Sequence, residues 1–173
     1  MRVVEFALAV VLAAAAPVAL AAVSVKMNQI DAKGVGKLIG TIRAEDSKKG
    51  LVLKIDLKDL PPGDHGFHVH EYGKCDPQEK DGAMAAGLAA GGHYDPHQAG
   101  RHEGPSGQGH LGDLPPLKVD ASGKVKSKVT APRLKVADLK GRALMIHEGG
   151  DNYSDNPKPL GGGGARIACG VVE

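Results

Sequence analysis

The sequence predicts an all-β fold in which short antiparallel strands form a sandwich or a barrel. Eight segments alternate apolar with polar residues or are rich in β-branched residues, which is typical of strands. Turn signals such as PPGD and ASGK separate them, and almost no segment has the periodicity of an amphipathic helix. The predicted strands cover residues 23–30, 35–44, 51–57, 66–71, 117–121, 124–131, 142–148 and 165–172.

The first residues of the chain have the layout of a secretory signal peptide. Arg2 precedes an apolar run over residues 6–18, and Ala-Leu-Ala follows at 19–21. The run is short for a membrane span, which favours a signal peptide over a retained membrane anchor. We therefore predict a signal peptide over residues 1–21 and a single domain over residues 22–173.

Three stretches between the predicted strands lack the strand pattern. Residues 73–116 combine Gly, Pro, His and Asp with little periodicity, and residues 149–164 are equally irregular. Residues 132–141 are compatible with a short helical turn or with a loop. Long loops without regular structure are usually functional or disordered. Because residues 73–116 are dense in metal-binding side chains, we expect a bound metal to order them.

The charge balance argues against a nucleic-acid partner. The formal net charge is +2, and the lysines are scattered along the chain. Nucleic-acid-binding domains instead carry clustered basic residues. We expect neither a nucleic-acid partner nor, after signal cleavage, a membrane partner. A small anionic substrate is compatible with this composition.

The two cysteines of the chain, Cys75 and Cys169, both lie in the part predicted to be exported. In an oxidising compartment two such thiols usually form a disulfide, although two unpaired buried thiols are the alternative. A redox-active pair is disfavoured because no Cys-x-x-Cys motif is present. Closing so long a loop would stabilise the fold by about 4–5 kcal/mol as an upper estimate.

Histidines in the long irregular stretch predict a zinc site. His93, His102 and His110 lie there, and Asp113 follows closely. Three imidazoles and a carboxylate suit tetrahedral zinc. Because all four come from one segment, metal binding would also fold that segment.

Three other histidines predict a second metal site. His68 and His70 alternate in a predicted strand and so share one face, and His147 ends another strand. A polar strand face is the alternative for the first two. A nitrogen-rich set without Cys or Met favours Cu(II). The two sites together offer seven ligand groups, whereas two four-coordinate metals need eight. Either one metal keeps an open position or one ligand serves both, and spacing does not decide.

Five motifs together resemble the copper/zinc superoxide dismutases in their secreted bacterial form. They are GFHVHE, GGHYDP, GHLGDLP, IHEGGDNYSDNP and GGGGARIACGVV, and they cover nearly the whole predicted domain in the family's order. The resemblance implies an eight-stranded, immunoglobulin-like Greek-key barrel or sandwich with long metal-binding loops. It also implies dismutation of superoxide to molecular oxygen and hydrogen peroxide by copper cycling between Cu(II) and Cu(I), beside a structural Zn(II).

The resemblance also implies the metal ligands, residue by residue. Copper would be held by His68, His70, His93 and His147. Zinc would be held by His93, His102, His110 and Asp113. His93 would then be an imidazolate that bridges the two metals, which resolves the count of ligands.

Further roles follow from the same resemblance. Arg166 would be a catalytic residue that orients the anion beside copper, and His93 a second one that takes a proton when copper is reduced. Asp151 would link a copper histidine to a zinc histidine, and Cys75–Cys169 would be the family's disulfide. His65 and His97 have no matching ligand role, and we expect their side chains to be exposed.

Two functional hypotheses follow. The first is the enzyme, and the alternative is an exported copper- or zinc-binding module that buffers or delivers metal without turnover. Turnover needs a redox metal and access for the anion, so the presence of Arg166 and every copper histidine favours the enzyme. Export implies the periplasm if the host is Gram-negative, and a homodimer is compatible with the sequence.

Overall fold

The computed structural model describes residues 22–173, which form a nearly all-β fold without α-helices. The predicted signal peptide lies outside the described residues. Eleven strands are present, namely β1 (Val23–Asp31), β2 (Gly34–Ser47), β3 (Gly50–Leu57), β4 (Gly63–His65), β5 (Phe67–His70), β6 (Gln78–Lys80), β7 (Ala83–Ala85), β8 (Leu117–Val119), β9 (Val125–Ala131), β10 (Ala143–His147) and β11 (Arg166–Val171). No helix in this part of the chain is long and apolar enough to cross a membrane.

Seven of the strands form one antiparallel sheet in the order β5-β10-β11-β1-β2-β3-β9. Two small two-stranded sheets, β4-β8 and β6-β7, complete the fold. Neighbours such as β3 and β9, or β5 and β10, are distant in sequence, so long connections cross the fold, as Greek-key topologies require. All eight predicted strands are present, which confirms the all-β antiparallel prediction.

The main core lies on the inner face of this sheet. In β3, Leu53, Ile55 and Leu57 are buried, while Lys54 and Asp56 between them are exposed. This alternation is what a half-buried strand produces, and it is why the sequence pattern located the strand correctly. The core buries apolar surface from most strands, and Phe67 of β5 is among its largest fully buried side chains.

A second, smaller apolar cluster surrounds a disulfide between Cys75 and Cys169. The bond joins the start of the long irregular stretch to β11, across a sequence separation of 94. The predicted disulfide is therefore confirmed. It attaches the irregular stretch to the strand that also carries Arg166.

The irregular stretches contain some regular structure that the sequence pattern missed. The β6–β7 hairpin and a 3-10 helix over Leu88–Ala90 lie within residues 73–116. A 3-10 helix over Val136–Leu139 confirms the helical-turn alternative for residues 132–141. Three- and four-residue elements are too short to show a hydrophobic period, which explains why they escaped detection.

Candidate metal centre

The pairing of β5 with β10 brings three histidines together. In this pairing Met145 lies opposite His68, and Ala143 lies opposite His70. All four residues of β5 are buried. Phe67 and Val69 pack in the core on one face of the strand, and His68 and His70 lie on the opposite face. His147 is the last residue of β10, so its imidazole reaches the same region from the neighbouring strand.

The irregular stretch returns along the other edge of β5. Val69 N–H donates to Gly112 O at 2.9 Å, and Val69 O accepts from Tyr94 N–H at 2.8 Å. The backbone of the stretch is therefore fixed against this edge of the strand by hydrogen bonds to both the N–H and the C=O of Val69. Two isolated bridges result, His70 with His93 and His68 with Asp113.

Nitrogen atoms of four buried histidines converge on one small volume. Their donor atoms all lie within 4.8 Å of one another, and we call this set the four-histidine group: His68, His70, His93 and His147. His70 Nε2 and His147 Nε2 are 3.4 Å apart. His68 Nδ1 and His93 Nε2 are buried without a hydrogen-bond partner. Buried nitrogens normally find partners, so these unpaired atoms fit a bound cation.

The outer nitrogens of this group are held by acceptors. His68 Nε2 donates to Asp151 Oδ2 at 2.8 Å, His70 Nδ1 to Gly91 O at 3.0 Å and His147 Nδ1 to Gly164 O at 3.2 Å. Because a carbonyl or carboxylate oxygen can only accept, each of these nitrogens carries the proton. The inner nitrogens then carry the lone pairs that bind a metal.

A second set of donors surrounds the carboxylate of Asp113, and we call His93, His102, His110 and Asp113 the Asp113 group. Asp113 Oδ1 lies 3.0 Å from His93 Nδ1 and 3.4 Å from His110 Nδ1, and Oδ2 lies 3.0 Å from His102 Nδ1. The Nδ1 atoms of His102 and His110 are buried yet make no hydrogen bond. Three imidazoles and a carboxylate around a shared space fit zinc.

His110 is the outermost member of the Asp113 group. The tightest set on this side, with donor atoms within 4.8 Å of one another, contains His68 in its place, together with His93, His102 and Asp113. His110 Nδ1 lies 3.4 Å from Asp113 Oδ1, whereas the Nδ1 atoms of His93 and His102 lie 3.0 Å from the oxygens of Asp113. His110 therefore faces the Asp113 group but is held less closely than the other members.

Asp151 connects the two groups. Its Oδ2 accepts from His68 Nε2, and its Oδ1 accepts from His102 Nε2, both at 2.8 Å, with all three side chains fully buried. Gly161, at φ 72°, lies directly against this carboxylate, where a Cβ would collide with Asp151 and His102. Only glycine fits that position, so the GGGG stretch allows the backbone to approach the Asp151 carboxylate closely.

Burial keeps the strand-borne histidines neutral. It lowers the pKa of His68 and of His70 well below the ordinary value, and repulsion from His93 adds to the effect. For the same reasons the pKa of His147 falls to about 4. Metal binding requires neutral imidazoles, so no proton competes for these three at neutral pH.

The situation at the Asp113 group is the opposite. Burial alone would lower the pKa of His102, but the carboxylates of Asp113 and Asp151 raise it to about 9. Burial likewise would raise the pKa of Asp113, but His102, His110 and His93 hold it well below the usual range. Without a bound metal, the two carboxylates therefore favour the protonated form of His102.

Arg166 lies beside the four-histidine group. It is opposite His147 in the pairing of β10 with β11. Its Nη1 donates to Gly87 O and its Nη2 to Gly91 O, both at 2.6 Å. Gly91 O also accepts from His70 Nδ1, so one carbonyl joins the guanidinium to a histidine of the group.

The two remaining histidines differ from each other. His97 is exposed, as expected. The expectation for His65 is wrong, because its side chain is 2% exposed. His65 Nδ1 lies 2.7 Å from His147 O, and Nε2 lies 2.8 Å from Pro61 O. His65 ends β4, a strand of three residues that the sequence pattern did not detect.

Most of the chain matches a known protein family. Residues 38–172 match the family model described as copper/zinc superoxide dismutase (SODC). Superoxide dismutase [Cu-Zn] 2 of Salmonella typhimurium is 56% identical over 165 residues, which are 95% of this chain and 95% of the relative.

Solved structures give the same answer. The Cu/Zn superoxide dismutase from Brucella abortus superposes with a TM-score of 0.87 at 54% identity, covering 88% of this chain and 100% of that one. The monomeric copper, zinc superoxide dismutase from Salmonella enterica superposes with a TM-score of 0.80 at 56% identity, with the same coverage. The predicted Greek-key fold therefore agrees with the folds of these proteins.

Proposed function

The chain belongs to the copper/zinc superoxide dismutases, and we propose that its two histidine groups divide the metals between them. It is an enzyme that uses copper and zinc to convert superoxide to molecular oxygen and hydrogen peroxide. The four-histidine group holds copper through His68, His70, His93 and His147. The Asp113 group holds zinc through His93, His102, His110 and Asp113.

The position of His93 is the observation that carries this assignment. His93 is a member of the four-histidine group, its Nδ1 faces Asp113 Oδ1 at 3.0 Å, and its other nitrogen, Nε2, is buried without a hydrogen-bond partner. One imidazole thus presents one nitrogen to each group. A bridging imidazolate accounts for eight ligand positions with seven side chains.

The overall reaction consumes two superoxide anions and two protons and yields one O2 and one H2O2. One superoxide loses an electron and the other gains one. When bound, copper supplies this one-electron exchange, and zinc, which has no redox chemistry, supplies a fixed charge. The side chains of the protein must therefore orient the anion and deliver protons.

Arg166 is the residue that we assign to anion binding. A guanidinium is charged at any working pH and has five N–H donors. Two of them are engaged by the carbonyls of Gly87 and Gly91, which fix the group in place. The remaining donors are available for a small anion beside the four-histidine group.

His93 is the residue that we assign to proton transfer. Its Nε2 lies in the reaction region without a hydrogen-bond partner, whereas Nδ1 remains on the Asp113 side. A proton taken up at Nε2, whenever that nitrogen does not hold copper, would be positioned for donation to the superoxide that gains an electron.

The metal assignment is tested by measuring activity and metal content on the same sample. The purified chain is loaded with copper and zinc and compared with His70→Ala and with the exposed control His97→Ala. We expect wild type and the control to hold about one copper and one zinc per chain and to be active. His70→Ala should lose copper and activity but keep zinc. Full loading without activity in the wild type would instead favour the metal-buffering module.

Export of the chain is part of the proposal. We infer a signal peptide over residues 1–21, a domain over residues 22–173 and, in a Gram-negative host, a periplasmic location. The disulfide between Cys75 and Cys169 supports this, because such bonds persist in oxidising compartments. Mass spectrometry of the chain recovered from the periplasm measures the cleavage site. A homodimer stays a prediction, which analytical ultracentrifugation tests.

A further inference from the structure

One arginine outside both metal groups contacts the segment that carries His110. Arg133 follows β9, in a turn anchored by Leu134, which is 1% exposed and accepts a hydrogen bond from Leu51 N–H at 2.9 Å. The Arg133 guanidinium therefore extends from a turn that is fixed to the core.

The Arg133 guanidinium binds four backbone carbonyls of the segment 104–110. Nε donates to Pro105 O at 3.2 Å, Nη1 to Gly109 O at 3.0 Å and Nη2 to Gly104 O at 3.4 Å, and Nη2 also donates to His110 O. A planar guanidinium suits such a set of acceptors, because its donors have a fixed geometry.

The segment 104–110 needs an external partner to hold its shape. It has the sequence GPSGQGH, contains no strand or helix, and lies between His102 and His110. Glycine-rich backbone loses much conformational entropy when it is ordered. His110 N–H donates to Arg101 O at 3.0 Å, which closes the base of the segment, while Arg133 binds the carbonyls.

The contact with His110 links Arg133 to the ligands themselves. His110 O accepts from Arg133 and also from Asp113 N–H, the latter at 3.4 Å. The backbone of His110 is therefore fixed from two sides. This matters most for His110, because it is the outermost member of the Asp113 group.

We propose that Arg133 is a positioning residue of the zinc site, which holds the segment 104–110 so that His110 faces Asp113 before zinc arrives. The inference rests on the proposed zinc ligands. Without Arg133, zinc binding must itself order the segment, and affinity falls accordingly. Partners outside the ligand set typically change metal affinity by 10–100-fold.

The experiment measures zinc affinity by competition with a coloured chelator, at fixed pH, on the disulfide-intact folded chain. Arg133→Met is compared with Arg43→Met, which removes the same charge from an exposed position on β2. We expect zinc to bind about tenfold more weakly to Arg133→Met and unchanged to Arg43→Met. Arg133→Lys should be intermediate, because an ammonium cannot reach all four carbonyls. Copper content should stay at the wild-type value.

A purely structural role is separated by a second measurement on the same variants. If urea unfolding shows lower stability for Arg133→Met while zinc affinity of the folded chain is unchanged, the inference is wrong. If Arg133→Met does not fold, zinc affinity and urea unfolding are measured on Arg133→Lys and Arg133→Gln instead. Lower stability with unchanged zinc affinity would again refute the inference. At saturation, the visible spectrum of cobalt-substituted Arg133→Met should match that of wild type, because the bound ion then orders the segment and the same ligands surround it.

Failure of the proposed zinc site gives a different result. If His110→Ala binds zinc as tightly as wild type, the ligand assignment itself is wrong. If His110→Ala binds more weakly and Arg133→Met does not, only the role of Arg133 is refuted.

Discussion

The two histidine groups are held by different kinds of structure. In the four-histidine group, His68, His70 and His147 come from two paired strands whose register fixes their separation. In the Asp113 group, His102 and His110 come from backbone without regular structure, held by scattered hydrogen bonds to carbonyls. A strand pair builds its site when the sheet forms, whereas the irregular stretch depends on the ligands and contacts that it carries.

The groups also differ in protonation. The strand-borne histidines are neutral because burial lowers their pKa values, whereas two carboxylates raise the pKa of His102 to about 9. On the proposed assignment, copper would bind to free lone pairs, whereas zinc would have to displace a proton from His102. His93, Asp151 and the disulfide are the points at which the two regions are joined.

The largest effect is expected from removing the shared ring. His93→Ala should weaken binding of both metals by more than about a hundredfold, and activity should fall to background. The loss should exceed the 10–100-fold that is typical when a residue hydrogen-bonded to a metal ligand is removed, because His93 is itself a proposed ligand. His147→Ala is the matched variant and should lose copper while keeping zinc. Metal analysis after dialysis measures both. Loss of a single metal in His93→Ala would show that the ring serves one site only.

Cutting the covalent link between the irregular stretch and the sheet should have the next largest effect. Replacing Cys75 and Cys169 by serine should lower the free energy of unfolding by about 2–5 kcal/mol, because the closed loop is long. Urea denaturation of the metal-free chain measures it. A change below about 1 kcal/mol would mean that the unfolded chain gains little freedom without the bond.

Asp151→Asn tests the hydrogen-bonded link. An amide keeps the size of the side chain but has a single acceptor oxygen, so it cannot accept from both His68 and His102. Affinity for at least one metal should fall by about 10–100-fold. Asp64→Asn, at an exposed position on β4, is the control. Unchanged affinities in Asp151→Asn would refute the linking role.

The last contrast between the two groups is in pH dependence. A proton remains on His102 below its pKa of about 9, so zinc affinity should rise about tenfold per pH unit between pH about 7.5 and 9 and then level off. Copper affinity should be flat in this range, because the pKa of His147 is about 4. Calorimetry in buffers of different ionisation enthalpy, with each metal added alone to the metal-free chain so that His93 stays a neutral ring, counts the released protons. Equal proton release for the two metals would contradict the comparison.

The strands were predictable because their signal is local. The alternation in β3, or of His68 and His70 in β5, repeats every second residue and needs no distant partner to be recognised. The kinds of metal were predictable because they depend on the donor atoms, which the residue types specify directly. His65 was missed because three residues of β4 show no period, and its burial depends on contacts with Pro61 and His147.

By itself, the sequence determined the strand pattern, the disulfide partners and a set of seven donor side chains suited to two metals. The tertiary structure decided which of these side chains lie together in space. Seven donors for eight positions left open a vacant site or a common ligand, and spacing along the chain could not choose. The irregular stretch returns along β5 and places His93 between the two groups, with one nitrogen toward each. The physical reason is that distances between side chains are set by backbone pairing across the fold.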